Sequence, residues 1–254
     1  MKSLLKFEFR KLGKQKSFYI SLIIMTALIF ITAISYKILL ERVANVEEVS
    51  GQSIPKTSAA FVLAFVSASM FSMFSAIFTS ITVCDDYDNQ IVKNIFARGY
   101  PRTSYYFAKL IYVFAATTLM FLFALVVSVV AGVALFGFED ISGRLIVLIL
   151  GQYVVSMSGV AMCLAIAAAI KKLGGVIAAN IIIPIAIPLV LQLGDSVPVI
   201  DGFKITSVWT DSFLTSLTDI NVSTGRIVAC ILGAVAYTVA FIAAGFAASR
   251  KAEV

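Results

Sequence analysis

The sequence contains no histidine, which removes imidazole acid-base catalysis, histidine-ligated zinc and the Ser-His and Cys-His nucleophile pairs. Its three cysteines, Cys84, Cys163 and Cys230, form no Cys-x-x-Cys pair and fall in or beside apolar blocks, where a thiol acts as a small hydrophobe. No GxxxxGK[ST] phosphate loop is present, since Gly13-Lys14 is followed by Gln15, so the chain is not expected to hydrolyse ATP by itself. The side chains with chemical character concentrate in one run, CDDYDNQIVKNIFARGYPRTSYYFAKL, residues 84–110.

Within that run Asp88 or Asn89 is placed to cap a short helix. Ile91, Val92 and Ile95 give the helix an apolar face and Lys93 and Arg98 a basic one, with Asn94 and Phe96 between them. Gly99 and Pro101 end it. An exposed amphipathic helix of this kind suits the groove of a soluble partner. The same composition also suits a helix lying flat on anionic lipid.

The rest of the chain explains where such a helix must sit. Of 254 residues, 60% are hydrophobic and 13% charged, and the mean hydropathy is +1.00. Six stretches without Asp, Glu, Lys or Arg are long enough to cross about 30 Å of hydrocarbon: 18–36, 59–84, 110–138, 145–170, 173–194 and 227–249. This predicts an all-α membrane protein, one transmembrane domain over 1–254, with no sizeable soluble domain and no cleaved signal peptide. The side carrying both termini would hold fourteen basic residues, among them Lys2, Lys6, Arg10, Lys11, Lys93, Arg98, Lys171 and Arg250. The other side would hold six, together with nine of the fourteen acidic residues. Basic residues are retained on the cytoplasmic side, so both termini and the 85–109 loop are expected there. The net charge of +6 is thus a matter of topology rather than of nucleic acid.

Residues 1–17 predict an interfacial helix, with Leu4, Leu5, Phe9 and Leu12 toward lipid and Lys6, Arg10 and Lys14 on another face. In the second span Ser72, Ser75, Thr79 and Thr82 share a helical face beside Phe71, Phe74 and Phe78. These residues either pack helices together or line a substrate path, and the two roles are compatible. Gln152, Asn180 and Gln192 are amides inside spans, each needing a partner or a wet cavity, and Asn180 and Gln192 are further path candidates. Pro184 and Pro188 predict a kink or interruption in the fifth span. Trp209, Phe213, Leu214 and Leu217 predict a short amphipathic helix resting at the outer interface within the 195–226 loop.

The run Asp86, then Gln90-Ile91-Val92-Lys93-Asn94-Ile95, then Gly99-Tyr100-Pro101-Arg102 and Lys109 resembles the membrane subunits of type 2 ABC exporters, the ABC-2 permease family. Gln90 stands where that family usually has Thr, and Asn89 where it often has Gly. The resemblance extends to the six-span layout and the N-terminal helix. It implies that the loop helix is a coupling helix seated on a separate ABC ATPase subunit, through Ile91, Val92, Lys93, Asn94, Ile95, Phe96, Arg98, Gly99, Pro101 and Arg102. It implies that ATP and Mg belong to that subunit and no cofactor to this chain, and that two copies, or a copy and a sibling, pair in the bilayer. It also implies that the second and fifth spans border the central path.

The expected function is therefore export of an amphipathic or hydrophobic molecule, such as a peptide, a drug or a lipid-like compound. A path of hydroxyls and phenylalanines without fixed charge fits that class. The competing readings are an ion-coupled or facilitative transporter working without an ATPase, and a membrane immunity or sensor subunit that binds a peptide without moving it. An intramembrane protease lacks its paired Asp, His or zinc set.

Overall fold

A computed structural model describes residues 2–42, 48–49, 52–53, 57–67, 69–137, 142–195 and 204–251. Helix α1 (Lys2–Leu12) is followed by α2 (Lys16–Arg42), and a two-residue antiparallel pair, Glu48–Val49 with Gln52–Ser53, precedes the next helix. Then come α3 (Ser58–Ser67), α4 (Ser69–Asp88), α5 (Ile91–Ala97), α6 (Arg102–Phe136), α7 (Gly143–Ile170) and α8 (Leu173–Asp195). A 3₁₀ turn at Ile205–Val208, α9 (Thr210–Ser216) and α10 (Thr224–Lys251) complete the chain.

Five of these helices, α2, α6, α7, α8 and α10, are long and apolar enough to cross a membrane, against the six stretches expected. The difference lies at 59–84. That stretch is covered by α3 and α4, with residue 68 outside the described residues, and neither helix qualifies alone. Helix α6 is longer than its apolar stretch. Its 35 residues reach about 52 Å at 1.5 Å per residue, well beyond a hydrocarbon core, and the polar start from Arg102 to Lys109 makes up about 12 Å of that length.

The central core joins α2, α4, α6 and α7 through Met25, Ile29, Phe78, Tyr112, Met120 and Leu164. Water does not drive such helices together in lipid, so close fit does. Two smaller clusters close the ends of the bundle. At one end Leu4, Val92, Ile95, Tyr105 and Ala108 join α1, α5 and the start of α6. At the other, Phe213 of α9 and Leu217 just after it join Leu148 and Val155 of α7 and Ile227 and Cys230 of α10.

One expectation is corrected, the interruption of the fifth span. Helix α8 runs through Pro184 and Pro188 without interruption. The short helix α9 is amphipathic and inserts Phe213, with Leu217 just beyond it, against α7 and α10, where Gly151 and Gly233 leave room for Leu217 and Phe213. Gly151 and Gly233 lie eight and nine residues into α7 and α10, about 13 Å from the start of each helix. The Gln152 amide anchors this insertion by donating to the Leu63 and Leu217 carbonyls, both at 3.1 Å. Helix α1 buries Leu4 and Glu8 on one face and leaves Phe7 and Phe9 exposed on another.

Candidate functional site

The site lies at the end of the bundle formed by α1, the end of α4, α5 and the start of α6. The turn before α5 departs from the expected cap. Asn89 donates backward to the carbonyl of Asp85 at 2.9 Å and to its carboxylate at 2.7 Å, closing α4, while Gln90 takes a left-handed conformation with φ of 56°. The far end is as expected. Gly99, with φ of 82°, donates to the Phe96 carbonyl at 2.9 Å, and Tyr100 donates to Ile95 at 3.4 Å, the paired bonds of a Schellman stop. Pro101 then starts α6.

Behind α5 lies a buried charge cluster. Lys109 of α6 donates to Asp86 of α4 at 2.5 Å and to the two carboxylate oxygens of Glu8 of α1 at 3.1 and 3.3 Å. Lys11 bridges Asp86 at 2.7 Å and Asp85 at 2.9 Å, and the Tyr105 hydroxyl donates to Asp86 at 3.1 Å. Next to it, Gln15 donates to Thr82 at 2.9 Å and accepts from Tyr112 at 2.7 Å. Three helices that lie far apart in sequence are thus tied by paired, hydrogen-bonded charges, as burial of charge requires.

The cluster divides its carboxylates. Burial pushes Glu8 above the usual carboxylate range, and Lys109 offsets only part of that. Burial acts on Asp86 in the same direction, but Lys109 and Lys11 together outweigh it and hold Asp86 below that range. Burial would lower Lys11, yet Asp86 and Asp85 leave it raised. Asp86 is therefore the anion that holds both lysines.

The residues read as the apolar contact face of α5 are split by this packing. Val92 and Ile95 are buried against α1 and α6 and seat the helix. Lys93, Asn94, Arg98, Gly99 and Pro101 face outward, and Ile91 and Phe96 are half-buried. Arg102 stands over the Phe96 ring at 5.8 Å and donates to the Arg250 carbonyl at 3.3 Å, joining this end to α10. Between α1 and α5 runs a groove of about 290 Å³ with Leu4, Phe7, Ile91 and Ile95 as its apolar lining and Asn94, Arg98 and Tyr100 as its polar one. Lys171 of the α7–α8 turn stands 5.4 Å over Tyr87. The basic residues counted on one side in the sequence thus do gather at one end.

Most path candidates are packed within the chain. Phe71 meets Phe121 edge-on at 5.4 Å, Phe78 meets Phe18 at 5.8 Å, and Phe74 and Ser75 are buried, with Ser75 bonded to the Ser72 carbonyl at 2.9 Å. Thr82 accepts from Gln15, and Thr79 is fully buried with its hydroxyl unpartnered among the described residues. Asn180 donates to Ser80 at 2.9 Å and to the Cys163 carbonyl at 3.4 Å. Ser72 and Gln192 are exposed.

Glu8, Lys11, Gln15 and Tyr105 were not singled out in the sequence, although Asp86 and Lys109 belong to its motif. The available signal was Leu4, Glu8 and Lys11 at helical spacing, which places charge on a face that also carries leucine.

A comparison with curated proteins returned no match. Residues 4–195 match a family model described as ABC-2 family transporter protein, a span that takes in α1, the charge cluster, α5 and the helices through α8. The chain is thus a multi-pass membrane protein that belongs to the ABC-2 transporter family.

Proposed function

We propose that this chain is the permease subunit of an ABC exporter, moving an amphipathic or hydrophobic molecule outward with ATP hydrolysed by a separate ABC ATPase subunit, which supplies the ATP and Mg site. Both termini and the α1–α5 end face the cytoplasm, and a second copy or a sibling permease completes the path. The observation that carries this reading is α5 itself. It is held as a short rigid helix by Val92 and Ile95, presents Lys93, Asn94 and Arg98 outward, and rests on a charge cluster shared by α1, α4 and α6. A push on α5 is therefore delivered to the ends of three helices at once. No Asp, Glu, Lys, Arg or His lies within the six apolar stretches, which speaks against an ion-coupled carrier.

The test is co-purification. The tagged chain, co-expressed with a candidate ABC ATPase subunit, is expected to retain it in detergent, and a Lys93→Glu/Arg98→Glu double variant to lose it while staying folded in the membrane. Retention by the double variant, or transport by the isolated chain without nucleotide, overturns the reading.

A further inference from the structure

At the opposite end of the bundle a second cavity, of about 210 Å³, lies between the end of α8 and the inserted segment around α9. Pro188 and Gln192 of α8 form one wall, and Thr206, Trp209, Asp211 and Ser212 contribute to the other. Asp211 is the only ionisable residue among its described lining. It is exposed, and its carboxylate has no partner among the described residues. We infer that this cavity binds a protonated amine, the head of an amphiphile whose apolar tail lies along α8.

The walls are built before any ligand arrives. The Asp195 carboxylate accepts from the amides of Ile205 and Thr206 and, at 2.6 Å, from the Thr206 hydroxyl, which pins the 3₁₀ turn to the end of α8. Arg226 donates to the Ser207 carbonyl at 2.9 Å and to the hydroxyls of Ser212 and Ser216, which fixes α9. Trp209 stands edge-on to Tyr237 at 5.6 Å, and Tyr237 stacks on Phe241 at 5.9 Å, so the indole is held in place. Asp195 and Arg226 are thus committed to the scaffold, and Asp211 is left to meet a ligand.

The chemistry of the lining selects the ligand. A carboxylate and an indole lining one cavity attract a cation through charge and the ring quadrupole, and the carboxylate repels an anion. Hydroxyls and the Gln192 amide supply acceptors for the remaining ammonium protons. The volume is smaller than the roughly 300–1,000 Å³ of a pocket for a drug-sized molecule, so it admits one group. Beside Pro188 and Gln192, the exposed side chains of Ile185, Leu189 and Leu193 form an apolar stripe along α8 for the tail. That the site serves substrate leaving the protein rests on the exporter reading, whereas the binding itself does not.

Trp209 is the only tryptophan in the chain, so intrinsic fluorescence reports on this cavity. The full chain in phosphatidylglycerol nanodiscs is titrated at pH 7 with decylamine, decanol and decanoate, each also against an Asp211→Asn variant. Decylamine is expected to change the Trp209 emission saturably at about tenfold lower concentration in the parent than in the variant, the size of one charge-assisted contact. Decanol should not distinguish the two proteins, which removes simple partitioning into lipid from the comparison. A Gln192→Glu variant, which adds a carboxylate on the α8 wall without touching α9, should tighten decylamine several-fold. Superimposable decylamine curves for parent and Asp211→Asn, or an equal response to decanoate, overturn the proposal. Repeating the titration in discs containing phosphatidylethanolamine identifies the source of the amine. Competition marks a lipid headgroup and its absence a free amphiphile, and either result keeps the ammonium site. No ATPase or nucleotide is present, so failure here leaves the coupling reading standing, and loss of ATPase docking leaves this site standing.

Discussion

The Lys109 ammonium lies 2.5 Å from the Asp86 carboxylate, and both side chains are closed to solvent at the point where α4 and α6 emerge toward α5. Glu8 reaches the same ammonium at 3.1 Å, so α1 is tied to the pair rather than simply resting on lipid. The contact makes α1 part of the same end of the bundle as α5.

Asp86→Asn removes the anion shared by Lys109, Lys11 and the Tyr105 hydroxyl. Breaking a buried pair from one side costs about 3–5 kcal/mol. Glu8→Gln should cost clearly less, because burial already disfavours the Glu8 charge and Lys109 keeps Asp86. Thermal melting in detergent is expected to rank the parent first, Glu8→Gln second and Asp86→Asn last. Equal losses would contradict this division of roles.

The two carboxylates predict opposite pH dependences. Glu8 is raised in the folded chain, so its contribution is full below its unfolded value of about 4.3 and is lost as pH rises through the folded value. Asp86 is lowered, so its contribution is present above about 3.9 and is lost as pH falls through its folded value. Going from pH 7 to 5, the parent should gain stability relative to Glu8→Gln. Below pH 4 it should lose stability relative to Asp86→Asn. Melting temperatures of the three proteins across pH 3.5–7.5 check both limbs.

Ile95→Asp is expected to unseat α5 rather than weaken a partner contact selectively, because Ile95 packs with Leu4, Val92 and Tyr105. A carboxylate at that position would be buried without a counter-ion. Limited proteolysis should cut between residues 88 and 101 in this variant and spare Lys93→Glu, whose parent side chain faces outward. Similar cleavage in both would place Ile95 on the outside.

Gly233→Ala would set a methyl 2.7 Å from the Phe213 ring. Overpacking of this kind costs about 1–3 kcal/mol, and here the ring must withdraw from between α7 and α10. Because Phe213 and Trp209 both pack on Tyr237, Trp209 emission should shift to the red. Gly225→Ala, which meets nothing within 4 Å, is the control and should leave the emission unchanged.

Much of this molecule was legible in its residues before any coordinates. The apolar stretches at 110–138, 145–170, 173–194 and 227–249 correspond closely to helices, because uncharged length is a local property and lipid leaves the backbone few alternatives. Gly99 marked the end of α5 for an equally local reason, the left-handed conformation its missing side chain permits. The gathering of basic residues at one end followed from counting charges along the chain.

Tertiary structure decided what periodicity could not. An apolar face on α5 is visible in Ile91, Val92 and Ile95, but whether it turns toward a partner or toward its own chain depends on helices elsewhere in sequence, and α1 and α6 claim Val92 and Ile95. Hydroxyls and phenylalanines on α4 read as packing, path or both, and only the bundle shows that Phe18 and Phe121 are the rings that meet Phe78 and Phe71. The charge cluster joins residues from 23 to 101 positions apart, and the insertion of α9 depends on glycines in two other helices. Local sequence sets which way a backbone coils and how long it stays apolar. Only the packed bundle sets the rotation of each helix about its axis, and with it which charges are forced out of water and into each other's company.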